Sequence, residues 1–182
     1  HFGSKFYLHL KIDTGMSRLG FECSKFVQQF DKIKSFENIS IEGIYSHFSS
    51  ADEDNALDPK SRTNIQNDKF RKLLKQIHLD REHNIKIHLA NSAGMLLNKD
   101  FHFHMVRVGL SMYGYIPFKE NEKNLSLKPA LFLKAKVSFI RIIDKGVGVS
   151  YGGKFVSRRK TKLAVLSIGY ADGVPRNLSG KI

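Results

Sequence analysis

The sequence predicts an α/β protein, a parallel β/α sheet followed near residue 126 by an antiparallel β domain. Three observations carry this. Short β-type runs alternate with helical patterns over the first two-thirds of the chain. Helical periodicity stops from Leu127 onward. Gly146, Gly148, Gly152, Gly153 and Gly173 then punctuate runs rich in β-formers.

The elements follow in order. Phe6-Tyr7-Leu8-His9-Leu10-Lys11-Ile12-Asp13 alternates with period 2 and reads as a strand. Ser24 is placed to cap a helix with Phe26, Phe30, Ile33 and Phe36 on one face, and these phenylalanines read as core. Ile41 to His47 is a second strand. A helix with Phe70, Leu73, Leu74 and Ile77 on one face follows. Ile85 to Ala90 is a third strand, Ser92 is placed to cap a short helix from Ala93 to Leu97, and Met105 to Gly109 is a fourth strand. Repeated β-then-α units imply parallel strands with right-handed crossovers. Four such strands make half of an eight-stranded barrel or one flank of an open sheet. The polar stretch Lys119 to Asn124 reads as a linker between units 1–125 and 126–182. In the second unit, Leu131 to Ile143, Val147 to Ser150 and Lys162 to Ile168 are the β-rich runs.

Composition bounds the function. With 41% hydrophobic and 26% charged residues among 182, the chain has globular rather than disordered composition. Cys23 is its only cysteine, which excludes a disulfide scaffold or a Cys-based zinc site and points to a reducing, cytoplasmic setting. No apolar run approaches the ~20 residues that span a bilayer, so no membrane partner is expected. Thirty Lys+Arg against seventeen Asp+Glu give a charge of +13. That excess favours anionic partners, but the cations are scattered, the densest group being Arg158-Arg159-Lys160. A solvated surface is the better reading, without nucleic acid. The chain starts at His1 and stops after Gly180-Lys181-Ile182, which reads as a piece of a longer protein.

Parallel β/α sheets carry their chemistry at the carboxyl ends of the strands. Those ends offer Arg18 in the loop after the first strand, His47 and Asp52 after the second, Asn91-Ser92 after the third, and Arg107 with Gly109 on the fourth. These groups can converge on an anion. A serine hydroxyl beside a glycine that admits close backbone approach suits a phosphate. His102-Phe103-His104 lacks a third metal ligand at useful spacing, and Asp52-Glu53-Asp54 lacks the later residues of a calcium loop. Gly146-Val147-Gly148 opens no helix, so it is no dinucleotide fingerprint.

Six blocks together resemble the alanine racemase family. They are His9 to Gly20, Ser46 to Asp52, Ala90-Asn91-Ser92-Ala93, Val106 to Gly114, Gly148-Val149-Ser150-Tyr151-Gly152 and Ile168 to Gly173, in the family's order over nearly the whole chain. The resemblance implies a pyridoxal-phosphate (PLP) enzyme. Its fold would be the second half of a PLP-binding TIM-type (β/α)8 barrel and the start of the C-terminal β domain. It also implies a homodimer acting on alanine. Arg107 resembles the arginine on the cofactor's pyridine nitrogen, and His47 the histidine that holds it. Ser92, Gly109 and Leu110 resemble the phosphate cradle. Arg18 resembles the arginine near the phenolic oxygen and the substrate carboxylate, and Lys11 a lysine carbamylated in some members. Tyr151 resembles the second catalytic base, reaching the partner's site, while Tyr170, Asp52 and Arg176 resemble residues lining the substrate corridor. The implied activity is two-base interconversion of L- and D-alanine, supplying D-alanine for peptidoglycan. A racemase for another amino acid such as serine, a non-catalytic PLP-binding module, and a basic nucleic-acid binder stand as alternatives.

One departure has a consequence. Nothing in the 182 residues matches the motif of the family's cofactor-bearing lysine, the first of the two bases, and Lys11 lies in a different block. The isolated chain with PLP is therefore expected not to racemise D-alanine. Detection of L-alanine over time checks this, and robust turnover contradicts it.

Overall fold

A computed structural model of the chain describes residues 3–53, 58–79, 84–118 and 125–178. It divides into two units, His1–Leu131 and Phe132–Ile182. The linker expected at Lys119 to Asn124 lies outside the described residues, as does Asp54.

The first unit is built on four parallel strands in the order β2-β1-β3-β4: β1 Phe6–Asp13, β2 Phe21–Glu22, β3 Ile39–Tyr45 and β4 Lys86–His88. Alternation in β1 sends Leu10 and Ile12 into the core while His9 and Lys11 take the other face. Three helices accompany the sheet: α1 Cys23–Lys34, α2 Arg62–Gln76 and α3 Ser92–Leu97. α1 buries Phe26 and Phe30; α2 buries Phe70 and Leu73, joined by Ile77 just past its end. These side chains meet Ile44, Ile87, Leu89 and Phe101 in one continuous core. Ser61 starts α2 by accepting from the Asn64 N–H at 3.2 Å.

Several expected boundaries move. α1 begins one residue before Ser24, and its N-cap, Glu22, makes no side-chain capping bond; Glu22 instead pairs with Lys25 at 2.9 Å. Phe36 is not core: α1 ends at Lys34, and the ring, beyond the cap Ser35, is 47% exposed. β3 spans Ile39–Tyr45 rather than Ile41 to His47; Ser46, just past its end, still donates its N–H to His88 O at 3.2 Å, while its carbonyl turns to other partners. Met105 to Gly109 is not a strand; only a single parallel bridge joins Met105 to His88. Ser92 is the first residue of α3, not its cap, because the Asn91 side chain takes that place by accepting from Gly94 N–H at 3.0 Å.

The second unit holds two antiparallel pairs: β5 Val137–Ile143 with β8 Thr161–Leu166, and β6 Gly148–Val149 with β7 Phe155–Val156. No strand covers Leu131 to Lys136. Ser157, 2% exposed, ties the turns together by donating to Asp144 O at 2.5 Å and accepting from Val147 N–H at 3.0 Å.

Truncating Phe70 to Ala is expected to cost about 3–5 kcal/mol, because its ring is fully buried. The same change at Phe36 should cost less than about 1 kcal/mol. Urea unfolding of both variants distinguishes a core role from a surface one at each position.

Candidate functional site

The ends of β3 and β4 and the segment after α3 meet at Arg107. Its backbone N–H donates to Ala90 O at 2.9 Å, which aims the side chain across the strand ends. Nη2 donates to Ser46 O at 2.6 Å, His47 Nδ1 at 3.1 Å and Leu89 O at 3.3 Å, while Nη1 donates to His88 Nδ1. The guanidinium carbon lies 5.0 Å from the Tyr45 ring centroid, and Tyr45 stacks on His88 at 4.9 Å with 6° between planes. A guanidinium has only donors. Both imidazoles must therefore offer a lone pair at Nδ1 and, when neutral, carry their proton at Nε2.

The electrostatics agree with that assignment. Burial and the adjacent Arg107 cation push the His88 pKa down to about 4. Burial also lowers His47, helped by the positive charges of Arg107, Lys11 and Arg18. So Lys11 and Arg18 act on the same imidazole as Arg107, and the strand ends form a cationic pocket edge suited to an anion. Burial lowers the Arg107 pKa too, and the neighbouring Tyr45 opposes it; a guanidinium still stays charged at neutral pH.

The loop that carries Arg18 is pinned by Asp13. Its Oδ1 accepts N–H bonds from Gly15 at 2.9 Å and from Met16 and Ser17 at 3.0 Å. Burial raises the Asp13 pKa, but these three donors and Lys11 outweigh it and hold the carboxyl below its usual range. Gly20 closes the loop at φ +125°, where a Cβ would sit 2.8 Å from Asp13 N.

A second feature lies two residues beyond Arg107. Because Asn91 caps α3, the Ser92 hydroxyl is free to accept from Gly109 N–H at 2.9 Å and Ser111 N–H at 3.2 Å. Ser111 Oγ is buried and has no hydrogen-bond partner among the described residues. A buried orphan hydroxyl beside a serine and a glycine is chemistry that a phosphate would complete.

The structure thus joins Arg107 to His47, and Ser92 to Gly109, and sets Lys11 and Arg18 in the field around His47. Leu110 opens a 3-10 turn, Leu110–Tyr113, and is 50% exposed. Asp52 is exposed in the turn after Ser50. Tyr151, Tyr170 and Arg176 belong to the second unit and are exposed there. Tyr151 follows Ser150, whose φ is +60°, and its ring is 97% exposed. His88 was not among the residues expected from sequence, yet it is the buried partner of Arg107.

The chain is similar to known proteins over almost its whole length. The family profile for the alanine racemase N-terminal domain matches residues 2–117, and that for the C-terminal domain matches residues 130–182. The alanine racemase of Prochlorococcus marinus is 46% identical over 181 residues, covering 98% of this chain and 46% of that protein. The alanine racemase structure from D-cycloserine-producing Streptomyces lavendulae superposes with a TM-score of 0.84 at 34% identity, over 98% of this chain and 47% of that one. The Bartonella henselae enzyme, described with covalently bound pyridoxal phosphate, gives 0.71 at 35% identity, over 96% and 45%. The two matched profiles define the class, proteins that join an alanine racemase N-terminal domain to an alanine racemase C-terminal domain. The chain belongs to the alanine racemase family. It spans about half the length of the curated relatives it matches.

His88 makes stability pH-dependent. The unfolded chain takes up the histidine proton near the ordinary 6.5, the folded one only near 4. Between those values the unfolded state binds more protons, so stability rises with pH across this window, by about 3 kcal/mol from His88 alone. Urea unfolding from pH 4 to 7 measures it, and His88→Asn should flatten the rise.

Proposed function

We propose that this chain is part of a PLP-dependent alanine racemase that interconverts L- and D-alanine in the cytoplasm and supplies D-alanine for peptidoglycan. The observation that carries the reading is Arg107: a fixed, donor-only cation, two residues from a serine–glycine cradle with an orphan hydroxyl. Those residues fit the group that the family uses. Pyridoxal phosphate, when bound, supplies an electron sink that makes the α-proton of an amino acid removable.

Each residue then has a task of its own. Ser92 and the backbone of Gly109 and Leu110 would hold the phosphate, and Ser111 Oγ would add a donor that the sequence did not announce. Arg107 would donate to the ring nitrogen and cannot give up a proton, so that nitrogen would stay unprotonated and the sink would be weakened. Arg18 neutralises the phenolic oxygen and the substrate carboxylate, with Lys11, if carbamylated, orienting it. Racemisation needs a proton removed on one face of the α-carbon and one delivered on the other. Tyr151 holds one at its phenol oxygen, and a ring 97% exposed on its own unit is available to a second copy of the chain in a homodimer. Tyr170, Asp52 and Arg176 line the substrate's approach. We place the boundary between barrel and β domain at 125/126; the family profiles leave 118–129 unmatched, and the compact units themselves divide a few residues later, at Leu131 and Phe132.

Absorbance titration of the chain with PLP and with pyridoxal, which lacks the phosphate, tests the cradle. PLP should bind at least about tenfold more tightly, the factor expected for hydrogen bonds to a charged group, and Ser92→Ala should remove most of that advantage. Equal affinities for the two compounds would overturn the reading.

A further inference from the structure

The hydrogen bonds of Arg107 do not stop at His88. With its Nδ1 occupied as an acceptor, a neutral His88 carries its proton on Nε2, and that atom lies 2.8 Å from Nδ1 of His9. His9 is on β1, His88 on β4, and β3 runs between them. The contact crosses a whole strand, and the crossing point is Gly43. The β1–β3 register shifts between Leu8 and His9, which sets His9 opposite Gly43. A Cβ at Gly43 would sit 2.2 Å from His9 Nδ1, so the imidazole fills the space that any side chain there would need.

We propose that His9 is a positioning residue for Arg107: by accepting from His88 Nε2, it holds His88 in the one tautomer whose Nδ1 can receive the guanidinium. All donors in the chain point away from Arg107, through His88, to His9. Without the acceptor at His9, the Nε2–H of a ring only 3% exposed loses its partner. In its other tautomer His88 would then present Nδ1–H to Arg107, donor against donor. The consequence for catalysis rests on the reading of Arg107 as the cofactor arginine; the hydrogen-bond chain itself does not.

The test uses nitrogen-15 NMR of the protein without cofactor. In the wild type, His88 should show only the Nε2–H tautomer, and the Arg107 Nη signals should be resolved because the guanidinium rotates slowly. His9→Leu keeps apolar bulk but removes the acceptor; it should mix the tautomers and speed Arg107 rotation about tenfold or more, the worth of one hydrogen bond. His9→Asn places an oxygen near the position of Nδ1 and should restore both signals. Gly43→Ala, whose Cβ meets the His9 ring first, should mimic His9→Leu; if it does not fold, the two His9 variants decide alone. Wild-type His88 and Arg107 signals in a folded His9→Leu protein would overturn the proposal. PLP should bind His9→Leu about tenfold more weakly than His9→Asn, and equal affinities would overturn the role toward the cofactor. If the wild type binds no PLP, the cofactor reading fails while the Arg107 signals still decide whether His9 positions it.

Discussion

A guanidinium offers five donors and no acceptor, and around Arg107 the hydrogen-bond partners among the described residues are all acceptors. Two are backbone carbonyls, of Ser46 and Leu89, and two are imidazole nitrogens, of His47 and His88. That one-sided requirement shapes much of the first unit. Both carbonyls belong to residues just past a strand end, freed from the ladder where β3 and β4 stop. Both histidines must be neutral, and burial beside a cation keeps them so. The Arg107 backbone is anchored to Ala90, so side chain and main chain of one residue tie the segment after α3 to the ends of two strands.

A second, uncharged network steadies the same end of the sheet. Thr14 Oγ1 and Ser46 Oγ lie 2.8 Å apart, and Ser46 donates on to Ile12 O. Gln66, on the buried face of α2, donates to Thr14 Oγ1 at 3.2 Å and to His47 O at 3.0 Å, and accepts from Ser49 N–H at 2.9 Å. One glutamine therefore joins the loops after β1 and β3 to a helix. Buried polar groups satisfied in this way rigidify their surroundings, whereas a half-satisfied set would destabilise them. The backbone of His47 is held from one side by Gln66 and its ring from the other by Arg107. Mobility at this histidine is thereby reduced from two directions.

Much of the site is legible in the sequence, for a physical reason. Arg107, His47, Ser92 and Gly109 follow strands or turns whose alternation and glycine punctuation place them at one end of a parallel sheet. Local errors arise where sequence offers near-equal choices. Asn91 and Ser92 are both good helix caps, and only the fold decides that the asparagine caps while the serine turns to Gly109. Phe36 fits the helical period of Phe26 and Phe30, but the helix stops two residues short of it. His88 escapes notice because its strand is three residues long and its partners come from β1 and from beyond α3. No short-range pattern encodes such a contact; the imidazole between Ile87 and Leu89 is the sole hint. Gly43 reads as a weak point in a strand until the imidazole of His9 is seen above it.

If Arg107 is a fixed donor, the group that it meets must offer a lone pair. The nitrogen-15 resonance of ring-labelled pyridoxal phosphate, bound to this chain as the proposed function expects, reads that directly. An unprotonated pyridine nitrogen, unchanged across neutral pH, is the predicted result. A pyridinium signal would mean that Arg107 does not occupy that position as a donor, and the account of the site would fall.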